Sequence, residues 1–167
     1  MDRERVYTLP FNWSKTVWVI TFGYFIIAVV LIGLLVWAIA CDGVVGGVLG
    51  LVIALPMLVG IALYCEGYSP QRLEVSESQI TVLRRYDSVT ILRSTILSIE
   101  PITAKDMRWT VNLGGCGGLF GYFGGFSNRK LGRFTMYATS MDDLLIMRLA
   151  DGRKIVIGCA EPELLQK

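Results

Sequence analysis

The sequence predicts an α+β membrane protein: an N-terminal two-helix transmembrane hairpin, then a mainly antiparallel β domain followed by a short C-terminal helix. Three observations carry that reading. Two charge-free runs, residues 16–41 (26 residues) and 43–65 (23 residues), stand side by side with only Asp42 between them. From Gln71 onward the pattern changes to short β-branched runs broken by turns. Charge is also segregated. The chain is 18% charged, against about 25% in soluble domains, yet residues 66–167 hold 13 Lys/Arg and 11 Asp/Glu. The 167 residues therefore divide into a cytoplasmic flank (1–15), a transmembrane hairpin (16–65, with spans 16–40 and 44–65) and a β domain (68–167).

A hydrocarbon core of ~30 Å takes about 20 helical residues at 1.5 Å each, so both runs are long enough to span and too long for core helices. The Asp42-Gly43 step must then reverse the chain at the far surface. Trp13, Trp18, Tyr64 and Tyr68 fall at the near interface, where amphipathic rings are favoured. Basic residues flank the hairpin on one side only: Arg3, Arg5 and Lys15 before it, Arg72, Arg84 and Arg85 after it, none in the turn. The positive-inside rule then places both termini in the cytoplasm. Ala38, Ala40 and Cys41 resemble a cleavage site, but a signal peptide's apolar region is 7–15 residues and a second span follows here. Gly46, Gly50 and Ala54 recur every fourth residue in the second span, a spacing that lets helix backbones approach; the first span or another protomer could lie against them. Pro56 removes one backbone donor and is expected to bend that helix. Neither span carries an ionisable residue, which argues for an anchor rather than a transport path.

In the β domain, Leu73 and Val75 alternate with charged residues before a turn at Glu77-Ser78. Ile80 with Val82, and Val89 with Ile91, repeat the two-residue period of a half-buried strand. Ile96 to Ile99 precede Pro101, and Phe134 to Thr139 form another strand. Residues 144–149 and 154–157 flank Asp151-Gly152, the strongest short hairpin signal. Such spacing without helical crossovers suggests an antiparallel barrel or sandwich. Pro162, between Glu161 and Glu163, opens the final helix.

Several function classes fall away. The chain has no histidine, hence no His-based nucleophile pair and no His metal ligand. Cys41, Cys65, Cys116 and Cys159 show no C-x-x-C spacing and read as isolated reduced thiols. No metal or cofactor is expected. A net charge of +2 is too balanced for a nucleic-acid partner. Eight glycines fall between 114 and 132, but in neither the phosphate-loop nor the dinucleotide spacing, so no nucleotide is expected. Adjacent Asp142 and Asp143 point apart on a strand, and the chain reads as non-catalytic. The segment 114–126 is best explained as a packed, bulged loop. Its rings Phe120, Tyr122, Phe123 and Phe126, with Arg129, Lys130 and Arg133 following, are the candidate lipid- or partner-binding residues. Aromatics favour headgroup depth and basic residues favour an anionic leaflet.

Gly117, Gly118, Leu119, Phe120, Gly121, Tyr122, Phe123 and Gly124, then Phe126, Asn128, Gly132 and Tyr137-Ala138-Thr139, resemble the signature of bacterial PH-like (pleckstrin-homology-like) domain proteins. Members of that group often join a membrane hairpin to one such domain. The resemblance covers about residues 68–165. It implies two nearly orthogonal antiparallel sheets of about seven strands with a C-terminal helix, in a protein of the bacterial inner membrane. The chain departs from PH expectations at its first turn, where Glu77-Ser78 replaces the basic cluster that holds phosphoinositide, and in its short final helix. The expected role is a membrane-anchored module for protein–protein interaction, scaffolding or self-association. The alternative is a lipid-sensing module that reads an anionic leaflet.

Overall fold

The computed structural model describes residues 6–42 and 44–158. Strand β1 (Tyr7–Pro10) precedes helices α1 (Lys15–Asp42) and α2 (Val44–Tyr68). Nine strands follow: β2 (Pro70–Val75), β3 (Gln79–Arg84), β4 (Ser88–Leu92), β5 (Ile96–Ile102), β6 (Val111–Gly117), β7 (Tyr122–Asn128), β8 (Gly132–Ala138), β9 (Leu144–Leu149) and β10 (Lys154–Gly158). The expected final helix at 161–165 and Cys159 lie outside the described residues.

Both helices are long and apolar enough to cross a membrane, and only 6% of either apolar window is buried inside the protein. Core helices of a soluble domain would be covered. Over most of their length these present their side chains outward, as a lipid-facing hairpin does, and only a few such as Val17 and Cys65 are buried. They touch most closely at the end remote from the β domain. A Cβ placed on Gly50 would sit 2.9 Å from Leu35 Cδ2, and one on Gly47 would run into Ile39. The small-residue stripe thus faces α1 of the same chain at Gly50, with Gly47 one row over. Near the middle, the Tyr24 hydroxyl donates to the Leu58 carbonyl at 2.5 Å. Helix α2 runs through Pro56.

The strands form two sheets, ordered β1-β2-β3-β4 and β5-β9-β10-β8-β7-β6. All ladders are antiparallel except β8 with β10, where Thr135 to Tyr137 pair in parallel with Ile155 to Ile157. The alternation read from sequence places Leu73, Val75, Ile80, Val82 and Ile91 in the core, each burial worth about 1.5–3 kcal/mol. The Asp151-Gly152 turn joins β9 to β10 as expected.

Three features differ from the sequence reading. First, the segment before α1 does not stand apart as a flank: Tyr7 to Pro10 pair with Val75 to Arg72 and add an edge strand to the first sheet. Second, the glycine-rich segment forms the hairpin β6–β7 rather than a loop, because its glycines let two backbones close in. Gly115 pairs with Gly124, and a Cβ on either would collide with the facing backbone. Gly115 also has φ 138°, in the region that favours glycine. Third, the free thiols Cys65 and Cys116 are both buried in one core cluster, where Cys116 Sγ donates to Leu119 O at 3.1 Å.

The core has two parts on opposite faces of the six-stranded sheet. Phe123, Tyr137, Met147 and Ile155 meet the first sheet, in a cluster that includes Cys65 of α2. On the other face Tyr122, Phe126, Met136, Ile146 and Val156 cluster with Val17 of α1 and Met107. Each face therefore reaches the base of a helix, so the β domain and the hairpin share their cores.

Candidate functional site

The β6–β7 hairpin carries most of the residues singled out from sequence, and its two ends differ. At the turn (118–121), Gly118 N–H donates to Gly121 O at 2.8 Å and the loop presses onto α1. Phe120 N–H donates to Thr21 Oγ1 at 3.1 Å, and Ser69 Oγ donates to Phe120 O at 2.6 Å. The Phe120 ring packs edge-on against Trp13 and Phe25, with centroids 5.7 and 6.3 Å away. A Cβ on Gly118 would touch Ile20 Cδ1 at 2.5 Å, so glycine is what lets the turn lie flat on the helix.

Helix α2 is held at the same level. Tyr86 N–H donates to Gly67 O at 3.2 Å, and the Arg85 guanidinium pairs with the Glu66 carboxylate. Arg84 sits 5.4 Å from the ring centroids of both Tyr68 and Tyr137 and pairs with Asp87 at 2.6 Å. Thr139 completes the seat: its hydroxyl donates to Asn12 O at 2.7 Å, and its carbonyl accepts from Ser14 N–H at 3.0 Å. These contacts fix the domain to the hairpin from both helices and from the β1–α1 connection.

The other end of the hairpin is polar. Buried Asn128 accepts from the Lys130 and Leu131 amides at 3.1 and 2.6 Å. Its Nδ2 donates to Asp106 O and Thr110 Oγ1 at 2.9 and 3.2 Å, which ties the β7–β8 turn to the β5–β6 connection. Lys130 pairs with Asp106. Hydrogen bonds from Lys130, then from the Thr103 amide and hydroxyl, lower the Asp106 carboxyl to about 2. Arg129 and Arg133 are exposed.

The residues named from sequence therefore scatter. Tyr122, Phe123 and Phe126 are buried at 8%, 2% and 4% exposure, because strand alternation sends them to the two core faces; they present no ring to a leaflet. Phe120 lies against Phe25 of α1, and Phe123 reaches Tyr64 of α2 with ring centroids 6.4 Å apart. The basic residues lie at the opposite end, roughly 23 Å along β7 at 3.3 Å per residue, so rings and charges do not form one patch.

A different grouping emerges at the sheet edge. Val111, Ser127 and Arg133 share one row across β6, β7 and β8. Beside them a cleft of about 430 Å³ is lined by Leu113, Phe126, Phe134, Arg133, Arg153 and Lys154. Lys154 Nζ donates to Leu131 O at 2.6 Å, and Arg153 pairs with Asp151 at 2.5 Å. Trp109, Val111 and Leu113 are 84%, 60% and 55% exposed along this edge, and Trp109 holds a positive φ of 59°. In the sequence this edge is marked by alternate apolar residues at 109, 111 and 113, immediately before the glycine run.

The model of the bacterial PH domain family matches residues 71–167, more than half of the chain. The chain belongs to the bacterial PH domain family. Searches of curated proteins and of solved structures found no match. The matched segment leaves out β1 and both helices, yet this PH domain takes its first edge strand from β1. Asn128 and Thr139, quoted above as signature residues, have structural work: one organises a turn and the other helps seat the domain on the hairpin. Among the described residues no group of three or more Cys, Asp or Glu is placed to hold a metal ion.

Proposed function

We propose that the protein is a non-catalytic, membrane-anchored PH-like module that displays a protein-binding edge at the inner face of the bacterial cytoplasmic membrane. The anchoring half rests on two outward-facing apolar helices and on the one-sided basic flanks, which put both termini inside. The observation that carries the binding half is the β6 edge, where exposed Trp109, Val111 and Leu113 adjoin a cleft bordered by Arg133, Arg153 and Lys154. Exposed apolar groups beside a cleft with three basic residues against one acid, Asp151, suit a partner segment with an apolar side chain flanked by acids. Asn112 favours side-chain recognition over strand addition. Its Oδ1 accepts from Gly114 N–H at 2.9 Å and its Nδ2 donates to Gly115 O at 3.3 Å, so two backbone groups of this edge are already occupied.

Photocrosslinking from positions 109, 113 and 97 in native membranes tests this. The reading expects one discrete adduct, a protein partner or a second copy, from 109 and 113. Leu97, on the opposite edge strand β5, should give none, and Arg133→Glu should abolish the adduct. Equal labelling from all three positions, or an adduct indifferent to Arg133→Glu, would sink it.

A further inference from the structure

The two helices meet tightly at Gly47 and Gly50 but part toward the β domain, leaving an apolar groove of about 560 Å³ between them. Ala28 and Ile32 line one wall, Leu55 and Ala62 the other, and Phe120 closes the floor. The charged groups are at one end, where Glu66 and Arg85 stand at the mouth, and the Tyr24 hydroxyl within the groove is taken up by the Leu58 carbonyl. Glu66 is the first charge after the apolar run 43–65, which sets the mouth at headgroup depth.

We infer that this groove binds one phospholipid of the surrounding leaflet, its acyl chain between the helices and its zwitterionic headgroup on the Glu66–Arg85 pair. Three observations converge on that occupant. From Glu66 to Leu55 the groove runs roughly 16 Å at 1.5 Å per residue, about half of a ~30 Å hydrocarbon core and so one leaflet deep. Spread over that length, about 560 Å³ is a narrow slot that suits a flexible acyl chain, whereas a helix roughly 10–12 Å across would lie over it rather than in it. The mouth offers both signs of charge, with side chains 29% exposed on Glu66 and 61% on Arg85. A headgroup with a phosphate for the guanidinium and an ammonium for the carboxylate satisfies both, whereas a purely anionic head would be repelled by Glu66. The inference rests on the hairpin lying in a membrane.

The test uses the full chain in nanodiscs holding phosphatidylethanolamine and phosphatidylglycerol in equal amounts, followed by detergent release and native mass spectrometry. Retained phosphatidylethanolamine is expected to exceed phosphatidylglycerol roughly tenfold. Ala62→Trp, which fills the groove, should remove the retained lipid, and Glu66→Gln should narrow the preference. Ile26→Trp, on an outward position of α1 that is 63% exposed, should change neither and reports that such a bulky change leaves the hairpin folded. No retained lipid, equal retention of both lipids, or the same loss from Ile26→Trp as from Ala62→Trp would overturn the inference. Carbonate washing of the membranes separates the two readings. A chain that stays in the pellet but retains no lipid defeats the groove alone; a chain that washes off defeats the anchor as well.

Discussion

The two ends of the β6–β7 hairpin are built from the same glycine-rich sequence and do opposite things. At the turn, uncharged residues lie against helix α1 through one backbone hydrogen bond, one ring and the absence of side chains at glycine. At the far end, Asn128, Lys130 and Asp106 knit a polar turn, and the neighbouring edge leaves apolar and basic groups exposed. One end attaches and the other, in the function proposed above, presents. A strand of seven residues is long enough to keep these roles apart while holding them rigidly in register. Proximity in sequence is therefore a poor guide to a shared site when the segment is extended, because each residue adds about 3.3 Å.

The largest effect should come from breaking the hairpin that links the ends. Gly115→Val puts a side chain into the backbone of Phe123 at a φ of 138° and is expected to cost about 4 kcal/mol or more. The readout is loss of the cooperative thermal transition and of near-UV circular dichroism in detergent. A stability within about 1 kcal/mol of the parent would mean that the close backbone pairing is not needed.

A smaller loss, confined to the presenting end, is expected from Asn128→Ala. It strips the buried Leu131 amide of its acceptor and should cost about 2 kcal/mol, read as a lower denaturant midpoint. Asn128→Asp keeps the acceptor but loses both Nδ2 donations, so it should fall between the two.

The mildest effect is electrostatic. The Asp106 carboxyl is depressed from 3.8 to about 2, so its ionised form favours the folded state. That contribution is present above the ordinary carboxylate value and fades as the pH falls from 3.8 toward about 2. Wild type should therefore exceed Asp106→Asn in stability at neutral pH, and the gap should close in that acid window. A gap that stays constant would show that Asp106 does not act through its charge.

The sequence made some of this architecture readable and hid the rest for physical reasons. The spans stood out because a membrane forbids charge over a fixed length, as the runs before Asp42 and after Gly43 obey. The strands carrying Ile80, Val82 and Ile146 stood out because one buried face enforces alternation or an apolar run. Strand β1 did not, since four residues ending in Pro10 acquire strand character only by pairing with Leu73 and Val75, more than sixty positions later. Strands β6 and β7 were hidden because glycine has poor strand propensity on its own; the facing glycine backbone, not the side chain, makes the pairing favourable there. The same substitution of backbone for side chain concealed the seat. Thr21 and Ser69 look like ordinary polar residues until Phe120 arrives between them.

The central claim is that the PH domain is seated on the hairpin through the Phe120 turn rather than tethered beside it. It is tested most directly by pulsed electron paramagnetic resonance between spin labels at Ile26→Cys on α1 and Leu97→Cys on β5, in a Cys41→Ser, Cys159→Ser chain in nanodiscs. A single narrow distance distribution is predicted, broadening when Phe120→Gly and Thr21→Val are added. A distribution that is already broad, or has two populations, with the Phe120 turn intact would contradict it.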